Sequence, residues 1–230
     1  MTLFPSLAPM PVPPSIDLRC GDVRELVAEV RGAALVMADP CWQYSEGAAG
    51  KGMAQPELNG IYECMLDADI SAILDAAYDC AKPGARLVCW ATWPKLHEFI
   101  AAGGAGPRWR YVTGGAWLKE RRVGVGYHWR GHTEPVLVFT KAGDSPYTDR
   151  SSILGNGYAS VPEEHSRKPV EWLRGMVRAW SPPGGLVLDL WAGLAPLASA
   201  CLAEGRNYVG AEIDPGRWAD ARRNVARGQG

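Results

Sequence analysis

The chain has 230 residues, 47% of them hydrophobic and 21% charged, with a formal net charge of −1; that is room for one α/β domain with a full core, and no global charge to draw it to a polyanion or a membrane. Any nucleic-acid contact must use a local patch. The N-terminus lacks a basic segment followed by an apolar run, and no stretch is long enough to span a bilayer, so a soluble, unprocessed, cytoplasmic protein without membrane association is expected. The six cysteines form no C-x-x-C pair and lie mostly in apolar segments, as reduced core thiols do, and no metal site is expected.

In chain order, residues 1–14 hold five prolines and read as an extended arm. Residues 15–230 read as a single domain with loops at about 45–60, 117–132 and 141–164. Ile16 to Cys20 is a predicted strand. Asp22 then caps a helix whose apolar residues Val23, Leu26, Val27 and Val30 follow the helical period. The apolar run Ala33 to Ala38 is short and bounded by turn formers, so it reads as a buried strand that delivers Asp39-Pro40-Cys41-Trp42 to its C-terminal edge. Asp69 is placed to cap a helix that Lys82-Pro83-Gly84 stops, and strands follow at Arg86 to Ala91, Arg108 to Thr113 and Glu134 to Thr140. A helix from Pro169 ends at Pro182-Pro183-Gly184. Leu186 to Leu190 is a strand, Trp191 to Leu197 a tight turn, Ala198 to Glu204 a helix and Tyr208 to Ala211 a strand ending at Glu212. Such alternation predicts a Rossmann-like α/β fold, a mostly parallel sheet with helices on both faces.

Ligands of open α/β sheets bind at the strands' C-terminal edge. There Asp39 supplies an acceptor, Pro40 a constrained carbonyl and Trp42 a flat ring, a set suited to an amino-bearing heterocycle; a strand end with an ordinary turn is the plainer alternative. Val187 to Gly193 followed by Glu212 has the strand, turn, helix and later acid that suit an adenosyl group, although Gly turns also serve purely structural ends. Lys168 lies at a helix start, as solvated decoration or as a partner for a ligand carboxylate. Residues 108–132 carry six cations against one acid, with five interleaved aromatics, the composition of a groove that tracks a nucleic-acid backbone or of a solvated basic face.

Taken together, Gly21-Asp22, Asp39-Pro40-x-Trp42, Trp117-x-Lys119, His132-Thr133-Glu134, His165-x-x-Lys168-Pro169 and the Asp189 turn with Glu212 resemble the amino-group methyltransferases that use S-adenosylmethionine. The order, catalytic tetrapeptide first and cofactor turn last, resembles the permuted class that includes bacterial and phage DNA methyltransferases. Asp-Pro-x-Trp and the strand Leu87-Val88-Cys89-Trp90 are also similar to the adenosine N6-methyltransferases. The resemblance implies a permuted class I methyltransferase domain and transfer of a methyl group from S-adenosylmethionine to adenine N6 in DNA. RNA as substrate, cytosine N4 as acceptor and a catalytically silent nucleic-acid-binding partner are the alternatives. It implies catalysis and base holding by Asp39, Pro40 and Trp42, and cofactor contacts from Asp22 (adenine side), Lys168 (methionine end), Asp189, Trp191, Gly193 and Glu212 (ribose). Lys119, Arg121, Arg122, His132 and His165 are expected on the substrate side. With little length for a separate recognition domain, modest specificity, a short target site or a homodimeric or heterodimeric partner is expected.

Two positions depart from the family pattern. Cys41 stands where a second proline is usual, and Ala195 where the cofactor turn normally has a second glycine. If the latter position needs positive φ, alanine there costs on the order of 1 kcal/mol. Pro40-Cys41 is also similar to the nucleophile dipeptide of cytosine C5 methylating enzymes, but that class has the opposite motif order and leaves Asp39 without a role.

Overall fold

A computed structural model describes residues 13–42, 65, 67–101, 104–120, 133–143, 148, 158–159 and 168–228. The elements are β1 (Ile16–Cys20), α1 (Val23–Glu29), β2 (Ala33–Ala38), α2 (Asp67–Cys80), β3 (Ala81–Trp90), α3 (Trp93–Ala101), β4 (Arg110–Glu120), β5 (Thr133–Thr140), β6 (Tyr158–Ala159), α4 (Val170–Trp180), β7 (Leu186–Asp189), α5 (Pro196–Ala203), β8 (Asn207–Glu212) and α6 (Pro215–Arg227).

The strands lie in the order β1-β8-β7-β2-β3-β5-β4-β6, where β6 adds only two residues. Pairing is parallel except where β5 lies antiparallel between β3 and β4. Every residue of β2 is buried, as a central strand covered on both faces requires. Val23, Leu26, Ile70, Leu74 and Phe99 of α1 to α3 pack on one face of the sheet. Leu173, Val177, Leu197, Ala221 and Val225 of α4 to α6 pack on the other. Successive connections run outward in opposite directions from the boundary between β7 and β2, which makes that boundary the topological switch point.

Local departures from the sequence expectation have physical causes. The helix stop Lys82-Pro83-Gly84 lies inside a shift of register: Ala33 pairs with Ala81 and Leu35 with Arg86, so residues 82–85 bulge out of the ladder. The helix before it starts at Asp67, so Asp69 falls within its first turn instead of capping it. Strand β4 continues past Thr113 to Glu120, because Gly114 and Gly115 pair with Leu137 and Val136 of β5. Cys80, Cys89 and Cys201 are buried free thiols, whereas Cys41 is disulfide-bonded, contrary to the expectation of six reduced thiols; it lies just past β2, where its carbonyl accepts from the Met65 amide at 3.0 Å. Among the described residues, no helix is long and apolar enough to cross a membrane. Residues 1–12, the loop expected at 45–60, and most of those expected at 117–132 and 141–164 fall outside the described residues.

Candidate active site

The C-terminal tips of β1, β8, β7 and β2 lie side by side and carry Asp22, Glu212, Asp189 and Asp39 in that order. Met37 pairs with Asp189, and the Leu190 amide donates to the Met37 carbonyl at 3.0 Å. The two segments singled out from sequence, 150 positions apart, are therefore neighbouring tips at the switch point.

Lys168 is the group around which the Asp39 side of the site is built. Its ammonium donates to Asp39 Oδ2 at 2.6 Å and faces Glu134 Oε2 at 3.4 Å. The Trp117 and Trp90 rings flank it, with centroids 5.3 and 5.7 Å from Nζ, and Trp172 packs on both indoles. Burial pulls the ammonium's pKa down, but the charges and hydrogen bonds of Asp39 and Glu134 outweigh it and leave the pKa above its usual value. The Lys168 side chain is 7% exposed and that of Asp39 38% exposed, so a closed cation grips an open carboxylate. Lys168 was expected at a ligand's methionine end; here it holds Asp39.

Asp189 is buried, accepts from the Tyr208 hydroxyl at 3.0 Å, and is also hydrogen-bonded by the Trp191 backbone. Desolvation dominates those bonds and, with the nearby charges of Asp39 and Glu212, pushes its carboxyl up to about 7. Tyr208 was not anticipated, though the period-two spacing of Tyr208, Gly210 and Glu212 places all three on one face of β8. Gly210 pairs with Asp189, and a Cβ there would run into the Tyr208 hydroxyl, so only glycine lets the ring reach its acid.

Glu212 is also buried; it accepts from the Asp214 amide at 2.9 Å and from the Gly193 backbone, and the second bond ties β8 to the turn after β7. Desolvation nevertheless raises its pKa. In that turn Gly193 has φ 54°, and Ala195 adopts the left-handed region at φ 54°, ψ 44° while buried. The strain expected of Ala195 is thus present. Asp22 caps α1, accepting from the Arg24 amide at 2.8 Å, and the Gly21 amide donates to the Glu212 carbonyl at 3.0 Å.

Several expectations change. Trp42, expected to hold the base, is 6% exposed and packs edge-on against Phe99, at 5.1 Å between centroids, within the apolar core. In the expected basic groove, Arg108 binds Asp75 and Asp79 at 3.0 and 2.8 Å, Trp109 is buried with its indole N–H on the Leu74 carbonyl, and Trp117 is fully buried. Arg108 and Trp109 serve packing because α2 offers them carboxylates and a carbonyl, and Trp117 does so by stacking on Trp172 of α4. The backbone of Lys119 lies on β4, and Arg121, Arg122, His132 and His165 lie outside the described residues. Glu134 as partner of Lys168 was not legible from spacing, since β5 and α4 meet only through the fold.

A DNA methylase family model matches residues 67–223, more than half of the chain and downstream of the Asp39 tetrapeptide. In Escherichia coli (strain K12), a protein provisionally named methylase YubD is 24% identical over 145 residues, which is 59% of this chain and 60% of YubD. This chain thus spans about three-fifths of that relative's length. Among solved structures, TTHA0409 of Thermus thermophilus, provisionally a DNA modification methylase and complexed with S-adenosyl-L-methionine, is similar at TM-score 0.68 and 19% identity over 93% of this chain and 95% of that one. The M1.HpyAVI complex with its cofactor is similar at TM-score 0.68 and 14% identity over 91% and 99%. The cytosine-N4-specific PvuII DNA methyltransferase is similar at 0.69 and 14% over 91% and 86%. At those identities the structures establish a shared class I methyltransferase fold, and the match over residues 67–223 goes further: the chain belongs to the N6/N4 DNA methylase family.

Proposed function

We propose that this chain transfers a methyl group from S-adenosylmethionine to an exocyclic amine of DNA, the N6 of adenine, at the junction of the β2 and β7 tips. The observation that carries the reading is the half-open Asp39 carboxylate, held by a buried ammonium beside the tip that bears Asp189. The residues present fit the cofactor's chemistry. Buried Glu212 offers acceptors to ribose hydroxyls, Asp189 and Asp22 add acidic groups that suit a cationic ligand, and a Cβ at Gly193 would meet only the Arg217 guanidinium, at 3.6 Å, so the turn leaves room close to its backbone. When bound, S-adenosylmethionine would supply an electrophilic methyl on a sulfonium, whose S–C bond breaks on transfer to leave a neutral thioether.

The chain's own residues then have defined tasks. An exocyclic amine is a poor nucleophile because its lone pair is delocalised into the ring. Asp39 and the Pro40 carbonyl accept its two hydrogens, which localises the lone pair and fixes its direction. Lys168, itself aligned by Glu134, holds and orients the Asp39 carboxylate. As the new N–C bond forms, positive charge develops on the nitrogen, and its surplus proton leaves towards Asp39, whose exposed face opens to solvent. No covalent enzyme intermediate is needed.

The test is incubation with tritiated S-adenosylmethionine and unmethylated DNA or RNA, followed by separation of the labelled nucleosides. Label in N6-methyladenosine of RNA, in 5-methylcytosine, or in nothing rejects the assignment. Transfer to cytosine N4 is the second reading, favoured by the similarity to the PvuII enzyme; label in N4-methylcytosine selects it.

A further inference from the structure

We infer that Trp93, at the start of α3, is a stacking platform for an unpaired DNA base next to the target nucleotide, a role that rests on the proposed reading of the Asp39 site. Trp93 is 50% exposed, although burial of an indole is worth more than that of almost any other side chain. Its ring is nonetheless fixed, because Nε1 donates to Thr133 Oγ1 at 2.9 Å. Thr133 is the first residue of β5 and precedes Glu134, which faces Lys168, which grips Asp39. An exposed, oriented aromatic face is thus tied through neighbouring residues to the candidate catalytic carboxylate.

Its position agrees. Ala38 pairs with Cys89, so Asp39 stands opposite Trp90, and Trp93 lies three residues further along the same edge. With ~4.8 Å between strands and ~3.3 Å per residue, the Trp93 backbone is expected on the order of 10 Å from Asp39, within reach of a nucleotide adjoining one that has been drawn out of a duplex. Trp42, by contrast, is 6% exposed and packs on Phe99. Aromatic stacking tolerates any base, so the platform adds affinity without dictating sequence.

Two measurements on the full chain test this. In the first, a single-stranded oligonucleotide carrying one 2-aminopurine is titrated with wild type, W93A and W93F. Quenching by wild type and W93F that is lost with W93A supports the platform. The second measures methyl transfer to unmethylated DNA: W93A is expected to raise KM for DNA by roughly 5- to 100-fold, W93F to restore most of the loss, and S-adenosylmethionine affinity to report that W93A is folded. Wild-type quenching and KM in a folded W93A overturn the inference and leave the reading of the Asp39 site intact. A wild type that transfers no methyl to any DNA, yet quenches 2-aminopurine through Trp93, overturns that reading and leaves the platform standing.

Discussion

Lys168 donates to Asp39 across 129 residues of sequence, at 2.6 Å, and its cation is enclosed while the carboxylate is open. K168M keeps the apolar stem among Trp90, Trp117 and Trp172 but leaves Asp39 and Glu134 without the charge between them. Because Asp39 reaches solvent, folding tolerates the change. Methyl transfer is expected to fall on the order of 100-fold in kcat, the scale seen when one oriented electrostatic partner is removed, with cofactor affinity unchanged in a calorimetric titration. A large loss of cofactor affinity with kcat preserved would instead return Lys168 to the methionine end, where sequence placed it. D39N, which turns an acceptor into a partial donor, should lose more, about 10²- to 10⁴-fold.

Asp189 predicts a pH dependence whose sign is set by burial. Its folded pKa of about 7 exceeds the unfolded value of about 3.9, so the folded state binds the proton more tightly. The stability it contributes is fully present below pH ~4 and is lost as pH rises through ~7. The groups that face it are Asp39 from the β2 tip, Glu212 and Tyr208 from β8, the Trp191 backbone, and Cys201 from α5. Urea unfolding of the ligand-free chain between pH 5.5 and 8.5 should therefore show a decline on the order of 1–2 kcal/mol that D189N flattens. Cofactor affinity should run the other way, weakening below pH 7 as the acceptor becomes protonated. A D189N chain with the wild-type stability slope sinks this assignment.

Ala195 illustrates two effects of similar size opposing one another. Its left-handed backbone costs about 1 kcal/mol relative to glycine, and its fully buried methyl contributes roughly 0.8 kcal/mol to the core. A195G is accordingly expected to lie within about 1 kcal/mol of wild type in chemical denaturation. A195V adds β-branching to a left-handed residue and volume to a closed site, and should cost more than about 2 kcal/mol.

The parallel sheet was legible because each buried strand is an apolar run cut off by a turn former, and Asp39, Asp189 and Glu212 were legible because each ends such a run. What sequence hid is how side chains are shared out once the strands are ordered. Trp42 and Trp117 look like a base platform and a groove lining in isolation, and become core only when Phe99 and Trp172 pack against them. Lys168 reads as a surface cation until β5 brings Glu134, and β2 brings Asp39, to its ammonium. Ala195 was readable as a strained departure because the family pattern marks its position.

Arg108 separates charge composition from charge use. It counts toward the basic stretch 108–132, yet its guanidinium binds Asp75 and Asp79 of α2 and lies over the Tyr78 ring at 4.9 Å, and those acids hold its pKa above the usual arginine value. A cation already neutralised by two carboxylates releases few counterions on meeting a phosphate. R108M is therefore expected to leave both DNA affinity and its salt slope unchanged, in filter binding or anisotropy across 50–200 mM salt. Since Arg108 and its partners are partly exposed, the cost to folding should be about 1 kcal/mol or less. A salt slope shallower by about one unit in R108M would show that this arginine leaves α2 for the DNA backbone, and would restore it to the binding surface its sequence context suggested.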